Sequence, residues 1–243
     1  MSLRTAAIEL PGIVVALPQE ARSFGLYSVR VGECLRMEKG WLILAGMGPN
    51  SARMAADRLI TRGVNCLLSW GIAGGLVPAL RPGTLLLPDR ITHSSDNNAF
   101  IPDVVVCERL FAALSPHMRV LRGTLCTVSD AVLSTTDKQT LATRTGGVAV
   151  DMESASVAAV AAHAKLPFIA VKVICDPVER SLPPVVLNLI TRDGRINRRA
   201  LFKVILSGLP AWRVLVALRH DFGAAQRVLG AAAPRTLSVL TPT

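Results

Sequence analysis

Residues 146–176 read GGVAVDMESASVAAVAAHAKLPFIAVKVICD. Gly147 to Met152 is a short apolar run with the character of a strand. Glu153 to Ala164 is Ala-rich and long enough for a helix, and Phe168 to Cys175 is a second apolar run rich in β-branched residues. Both flanking runs are largely apolar rather than alternating, as expected of strands covered by helices on both faces of a sheet. The stretch is therefore a strand–helix–strand unit. It places two carboxylates, Asp151 and Glu153, at the first strand-to-helix junction and a third, Asp176, at the end of the second strand.

The pattern extends in both directions. Gly12–Leu17 (GIVVAL) reads as a first strand and PQEARSF as a turn into a helix; Cys34–Met37 and Trp41–Ala45 form a hairpin across EKG. GMGPN, residues 46–50, is a Gly-rich turn, and Ser51–Arg62 is a helix with a capping serine, closed by Gly63. Asn65–Trp70 is a buried strand followed by GIAGGL, residues 71–76, taken as a tight turn. Thr84–Pro88 and Arg119–Val128 read as strands and Glu108–Ser115 as a helix. Residues 93–103 form a polar loop, and SDAVLSTTDKQTLATRTG is a loop into a short helix. Alternating strands and helices predict a single α/β domain over residues 1–243, its central sheet largely parallel or mixed and flanked by helices.

Composition bounds the function. Hydrophobic residues make up 51% but aromatic ones only 4%, so the core is aliphatic and suits such a sheet. No apolar run reaches the length of a membrane span, and the N-terminus reads poorly as a signal peptide. Five dispersed cysteines without a CxxC pair point to reduced thiols in the cytoplasm. Four histidines lack HxH or HExxH spacing, so no metal site and no cofactor is expected. The net charge of +10 is concentrated at one end: nine Arg and Lys against Asp193 and Asp221 from residue 192 onward. Residues 192–243 thus form a basic, amphipathic, helical extension, suited to an anionic surface.

Open sheets of this kind bind ligands beyond the carboxyl ends of their strands. Four junctions fall there: Glu20 after GIVVAL, Gly71–Gly75 after NCLLSW, Asp151 with Glu153, and Asp176. Singly, each has a plain structural explanation. Asp151 suits the N-cap of the Ala-rich helix, Glu153 and Glu20 suit first-turn positions favoured by the helix dipole, and Asp176 before Pro177 suits a turn. Their convergence on one rim favours chemistry.

GIVVALPQEA, SWGIAGGL, AVDMESASVA and VKVICD, in this order and spacing, resemble the purine nucleoside phosphorylase and nucleosidase superfamily, above all its methylthioadenosine/adenosylhomocysteine nucleosidases. The resemblance runs from about residue 12 to 178. The tail, LPPVVLNLITRDGRINRRALFKVILSGLPAWRVLVALRHDFGAAQRVLG, is similar to that of hopanoid-associated nucleoside phosphorylase-like proteins. These are implicated in removing adenine from adenosylhopane to leave ribosylhopane. The resemblance implies a catalytic pair: Asp176 protonates or hydrogen-bonds purine N7, and Glu20 is the base that activates water. Glu153 accepts from the ribose hydroxyls, as a carboxylate with several lone pairs can. Met152 provides an apolar wall, and Gly74, Val132 and Leu133 complete the substrate site. Burial at the end of an apolar strand raises a carboxyl pKa, which suits Asp176 to this task. Two positions depart from the pattern: Ile72 stands where a hydroxyl residue is usual, and Val132 where an aromatic ring stacks on the purine.

A phosphorylase would need an anion site, for which Arg22, Gly46 and Gly48 are the candidates and phosphate the only co-substrate. Ile72 removes a hydroxyl and Glu20 repels an anion, so water is the expected nucleophile. The alternatives are a phosphorylase for soluble nucleosides and a binding protein that does no chemistry. The expected partner is a small adenosine-containing molecule, lipid-linked by the resemblance, and not nucleic acid, for which residues 199–230 have too few stacking aromatics. Leu201–Leu206 suit packing on the fold, and Trp212–Leu218 suit a membrane interface, which would place the protein at the inner face of the cytoplasmic membrane. Relatives imply a homo-oligomer, such as a dimer.

Overall fold

A computed structural model describes residues 8–95, 98–182 and 209–241 of the chain. Its frame is a nine-stranded mixed sheet. In chain order the elements are β1 (Pro11–Val15), α1 (Pro18–Ala21), β2 (Cys34–Met37), β3 (Gly40–Leu44), α2 (Pro49–Ile60), β4 (Cys66–Gly75), β5 (Leu85–His93), β6 (Ala99–Phe100) and α3 (Val104–Leu114). They continue with β7 (Val120–Thr127), α4 (Thr135–Thr145), β8 (Ala149–Asp151), α5 (Ser154–His163), β9 (Phe168–Asp176) and α6 (Leu209–Leu240). β1 runs parallel to both β3 and β4, and β4 runs parallel to β9. β8 links antiparallel to β4 and parallel to β7, β7 parallel to β5, and β5 antiparallel to β9. The ladder β4–β8–β7–β5–β9 therefore closes on itself, with β1, β3 and β2 extending it beyond β4.

The aliphatic runs explain the layers. β1, β4 and β9 are buried along nearly their whole length, so both faces need cover. On one face α2 and α5 pack through Ala52, Ala55, Ala56 and Ala155, Ala158, Ala161, whose methyl side chains let helix and sheet approach closely. On the other, α3 contributes Val106, Leu110 and Leu114, and α6 contributes Ala225, Leu229, Ala232, Ala233 and Leu240. The end of α6 is tied down by Arg109, which donates to Val239 O at 2.9 Å, and by Lys39, which donates to Thr241 O at 3.2 Å. Cations on terminal carbonyls also oppose the helix dipole.

Three local expectations are corrected. GIAGG is no turn: β4 runs straight through it to Gly75, and Gly74 and Gly75 pair with Val150 and Ala149 of β8. Ser51 does not cap α2. The helix begins at Pro49 behind Gly48 (φ 96°), because proline at the first position fixes the helical φ where no N–H is needed. The loop 93–103 carries the short strand β6, paired with Ile91 and Thr92.

Of the basic tail, the structure describes α6 from residue 209 onward. The described part of α6 lays Ala225, Leu229, Ala232, Ala233 and Leu240 on the protein core, while Val216, inside the stretch expected at a membrane interface, is 45% exposed. Leu201–Leu206, and the side chains from Trp212 to Leu215, lie outside the described residues. Among the described residues no helix is long and apolar enough to cross a membrane.

Candidate active site

The carboxyl ends of β1, β4, β8 and β9 open into one cavity of about 210 Å³. Its walls are apolar, formed by Leu17, Ile72, Val128, Val132, Leu133, Met152 and Leu182 among others, and three of its carboxylates are Glu20, Glu153 and Asp176. Gly74 lines it as well, where a Cβ would come within 3.2 Å of Val150. A larger polar hollow of about 370 Å³ lies near the end of β5, between Arg90, Thr92, His93 and Arg144, but its lining holds no carboxylate and so offers no acid–base pair.

Glu20 is 3% exposed. It sits in the first turn after β1 and folds back on its own helix start: Oε2 accepts from Ala16 N at 2.8 Å and Leu17 N at 2.9 Å. Its Oε1 accepts from Ile72 N on β4 at 2.9 Å. Position 71 must be glycine for this contact, because a Cβ there would lie 2.3 Å from Glu20 Oε1. Burial raises the Glu20 pKa above its ordinary value, against the pull of Lys172 and the three amides. A carboxylate fixed by three N–H donors and only partly relieved of its burial cost is a suitable general base.

Asp151 and Glu153 divide the work at the next junction. Asp151 Oδ2 accepts from Ser154 N at 3.1 Å and Ser154 Oγ at 2.6 Å, so it does bond the first amide of α5. It does more than cap. Thr127 Oγ1 donates to its Oδ1 at 2.7 Å, and Lys172 Nζ lies 3.0 Å from Oδ2. Glu153 stands at the N-cap position itself, yet its side chain turns away from α5 and accepts from Gly48 N at 2.9 Å. Burial pushes its pKa up to about 7; Lys172 and the Gly48 amide oppose this, while Asp151 and Glu20 add to it.

Asp176 ends β9. Lys138 Nζ donates to its Oδ2 at 2.6 Å, whereas Oδ1 is buried with no hydrogen-bond partner. Burial raises the pKa of this carboxyl, and Lys138 draws it down. An apolar cavity holding one unsatisfied carboxyl oxygen lacks a donor or acceptor that a ligand can supply.

The two lysines were not singled out in the sequence. Lys172 is a lone charge in the apolar run FIAVKVICD, a pattern that implies a buried partner. It lies 2% exposed among Asp151, Glu153 and Glu20, whose combined charge outweighs the cost of burial and raises its pKa. Lys138 gave no such signal, because TTDKQTLATR reads as a solvated helix. Its burial depends on Asp176, distant in sequence.

The candidate phosphate ligands do not assemble. Arg22 is exposed and outside the cavity lining, Gly46, where the chain leaves β3, is not part of that lining, and the Gly48 amide is spent on Glu153. Val132 and Leu133 do line the cavity, but the Leu133 carbonyl already accepts from Leu182 N at 2.8 Å. Among the described residues no three His, Cys, Asp or Glu side chains converge as metal ligands.

Comparison with known proteins agrees with this architecture. A 5′-methylthioadenosine/S-adenosylhomocysteine nucleosidase of Tolumonas auensis is 27% identical over 155 residues, covering 56% of this chain and 67% of the relative. The crystal structure of a nucleosidase of the same name from Neisseria meningitidis, in complex with methylthio-immucillin-A, superposes with a TM-score of 0.70. It is 15% identical and covers 94% of this chain and 98% of its own. Futalosine hydrolase of Helicobacter pylori superposes with a TM-score of 0.69 at 15% identity, covering 95% of this chain and 98% of its own. The sequence matches the phosphorylase superfamily over residues 12–208, a span that contains every carboxylate of the cavity. With this sheet, this cavity and this match, the chain belongs to the phosphorylase superfamily.

Proposed function

We propose that the protein is a nucleosidase that hydrolyses the N-glycosidic bond of a 5′-substituted adenosine and releases adenine. The observation that carries this reading is the orphaned Oδ1 of Asp176 in an apolar cavity that also holds Glu20 and Glu153. Breaking a purine–ribose bond needs a proton for the leaving base, a hold on the ribose as it gains positive character, and a nucleophile at C1′. Asp176 supplies the proton, Glu153 accepts from the ribose hydroxyls, and Glu20 takes the proton of the attacking water. Water is preferred over phosphate because Arg22 is exposed, Arg22 and Gly46 are outside the cavity lining, the Gly48 amide is already bonded, and two further carboxylates face the same space. Nucleosidase names among the relatives support the same choice.

The finer proposal concerns the 5′ substituent. The tail over residues 182–230 resembles proteins implicated in adenosylhopane cleavage, so we propose a lipid-linked adenosine, with ribosylhopane as product and the inner face of the cytoplasmic membrane as the place of encounter. The test is a series of 5′-alkylthio adenosines of increasing chain length, assayed for adenine with and without phosphate. Adenine release without phosphate, with kcat/KM rising with chain length, is expected. A strict phosphate requirement overturns the nucleosidase reading, and a preference for the shortest substituent overturns the lipid.

A further inference from the structure

Lys138 sits near the start of α4, and its side chain is fully buried. An ammonium group leaves water at high cost unless each of its three N–H donors finds an acceptor. Here all three do: Asp176 Oδ2 at 2.6 Å, Pro177 O at 3.0 Å and Arg180 O at 2.9 Å. These acceptors belong to one short segment, the end of β9 and the turn that follows, so one side chain locks that segment to α4. The lysine engages only one oxygen of Asp176, and the other is the unpartnered Oδ1.

We propose that Lys138 is a positioning residue for the proton transfer: it pins Asp176 through Oδ2, leaves Oδ1 to carry the proton to the leaving base, and compensates the carboxylate that results. The inference rests on the reading of Asp176 as the acid. In that step the C1′–N bond breaks and its electron pair goes to the base, which takes the proton from Asp176 Oδ1. Water forms the new bond to C1′ and gives its proton to Glu20. Negative charge develops on Asp176 as the reaction proceeds, so a fixed cation at 2.6 Å stabilises the transition state more than the ground state.

The same charge tunes when Asp176 holds its proton. Burial raises its pKa, and Lys138, through its hydrogen bond and its charge, draws it down. Arg180 in the following turn also lowers it, and Asp221 on α6 raises it. Those two pair with each other, His220 Nδ1 lies 3.2 Å from the second oxygen of Asp221, Glu20 and Glu153 share the cavity with Asp176, and burial keeps the neighbouring Cys175 thiol protonated. Burial already outweighs these pulls, and without Lys138 it would raise the pKa further.

The test is the pH profile of adenine release by Lys138→Met, beside wild type, Lys138→Arg and Asp176→Asn. A cation this close moves a carboxyl pKa by about one to three pH units. The loss of activity at high pH should therefore move upward by about that much in Lys138→Met, while the maximal rate falls at least ~10-fold. Lys138→Arg, which keeps the charge, should return the high-pH limb towards wild type. A folded Lys138→Met with an unmoved limb overturns the inference, since a merely structural lysine would lower the rate at every pH alike. Should Met not fold there, Lys138→Gln is read in the same way, because it keeps two N–H donors for the Pro177 and Arg180 carbonyls. Full turnover by Asp176→Asn would instead overturn the underlying acid assignment, whatever Lys138 does.

Discussion

Replacing Glu153 with Gln exchanges one carboxylate oxygen for an amide nitrogen and removes a charge from a buried position. In the native protein this group titrates near 7 rather than at 4.5, chiefly because burial penalises its ionised form. Below about pH 4.5 the group holds its proton in both folded and unfolded chains and contributes no difference. Between about 4.5 and 7 the unfolded chain releases the proton while the native chain keeps it, so stability falls as pH rises. Above 7 the deficit is complete. At about 1.4 kcal/mol per pH unit, it amounts to about 3 kcal/mol. Gln carries no such term and can still accept from Gly48 N through its carbonyl. In urea unfolding, the stability of Glu153→Gln relative to wild type should therefore rise by about 3 kcal/mol between about pH 4.5 and pH 8. The same change removes the charged acceptor proposed for the ribose, so turnover should drop roughly 10- to 100-fold. A relative stability that does not change with pH would refute the reasoning, because the ionised Glu153 would then cost nothing to bury.

Other perturbations probe the rest of the site. Gly71→Ala places a methyl group 2.3 Å from Glu20 Oε1 and must displace that carboxylate; circular dichroism should stay native while adenine release falls by ~100-fold or more. Glu20→Gln cannot accept all three amides and cannot act as a base. Steady-state assays should lose roughly 10²–10⁴ in kcat, together with the rise of activity with pH that reports ionisation of Glu20 above its ordinary value. Lys172→Met leaves Glu20, Asp151 and Glu153 without their shared cation and should destabilise the fold by about 3–5 kcal/mol near neutral pH. That loss should shrink in acid, where the carboxylates take up protons, and denaturant titrations at the two pH values read it. Arg22→Ala should leave turnover within about twofold of wild type, since the side chain is exposed and outside the cavity.

The fold was legible because its signals are local. GIVV, CLLSW and FIAVKVIC are aliphatic runs too apolar for anything but buried strands, and SASVAAVAAH is a helix by composition. Where a signal depended on a distant contact, the local reading failed. Gly71 to Gly75 looked like a turn, yet Gly71 is small because Glu20, far back in the chain, occupies the space of its side chain. Three site carboxylates could be placed because each follows an apolar strand. Lys172 was visible as a charge in a buried run, but its partners were not. Lys138 had no sequence signature, since its burial is created by Asp176 and by the carbonyls of the turn behind it. Arg22 illustrates the converse: proximity to Glu20 in sequence did not bring its side chain into the cavity.

In the proposed mechanism, water activated at Glu20 attacks C1′ while Asp176 protonates the base. The most direct measurement is turnover of a 5′-alkylthio adenosine in oxygen-18 water with inorganic phosphate present, followed by mass analysis of the sugar product. Hydrolysis predicts free adenine and a sugar carrying one heavy oxygen on C1′, with no sugar 1-phosphate. An unlabelled sugar 1-phosphate would contradict it and make the protein a phosphorylase.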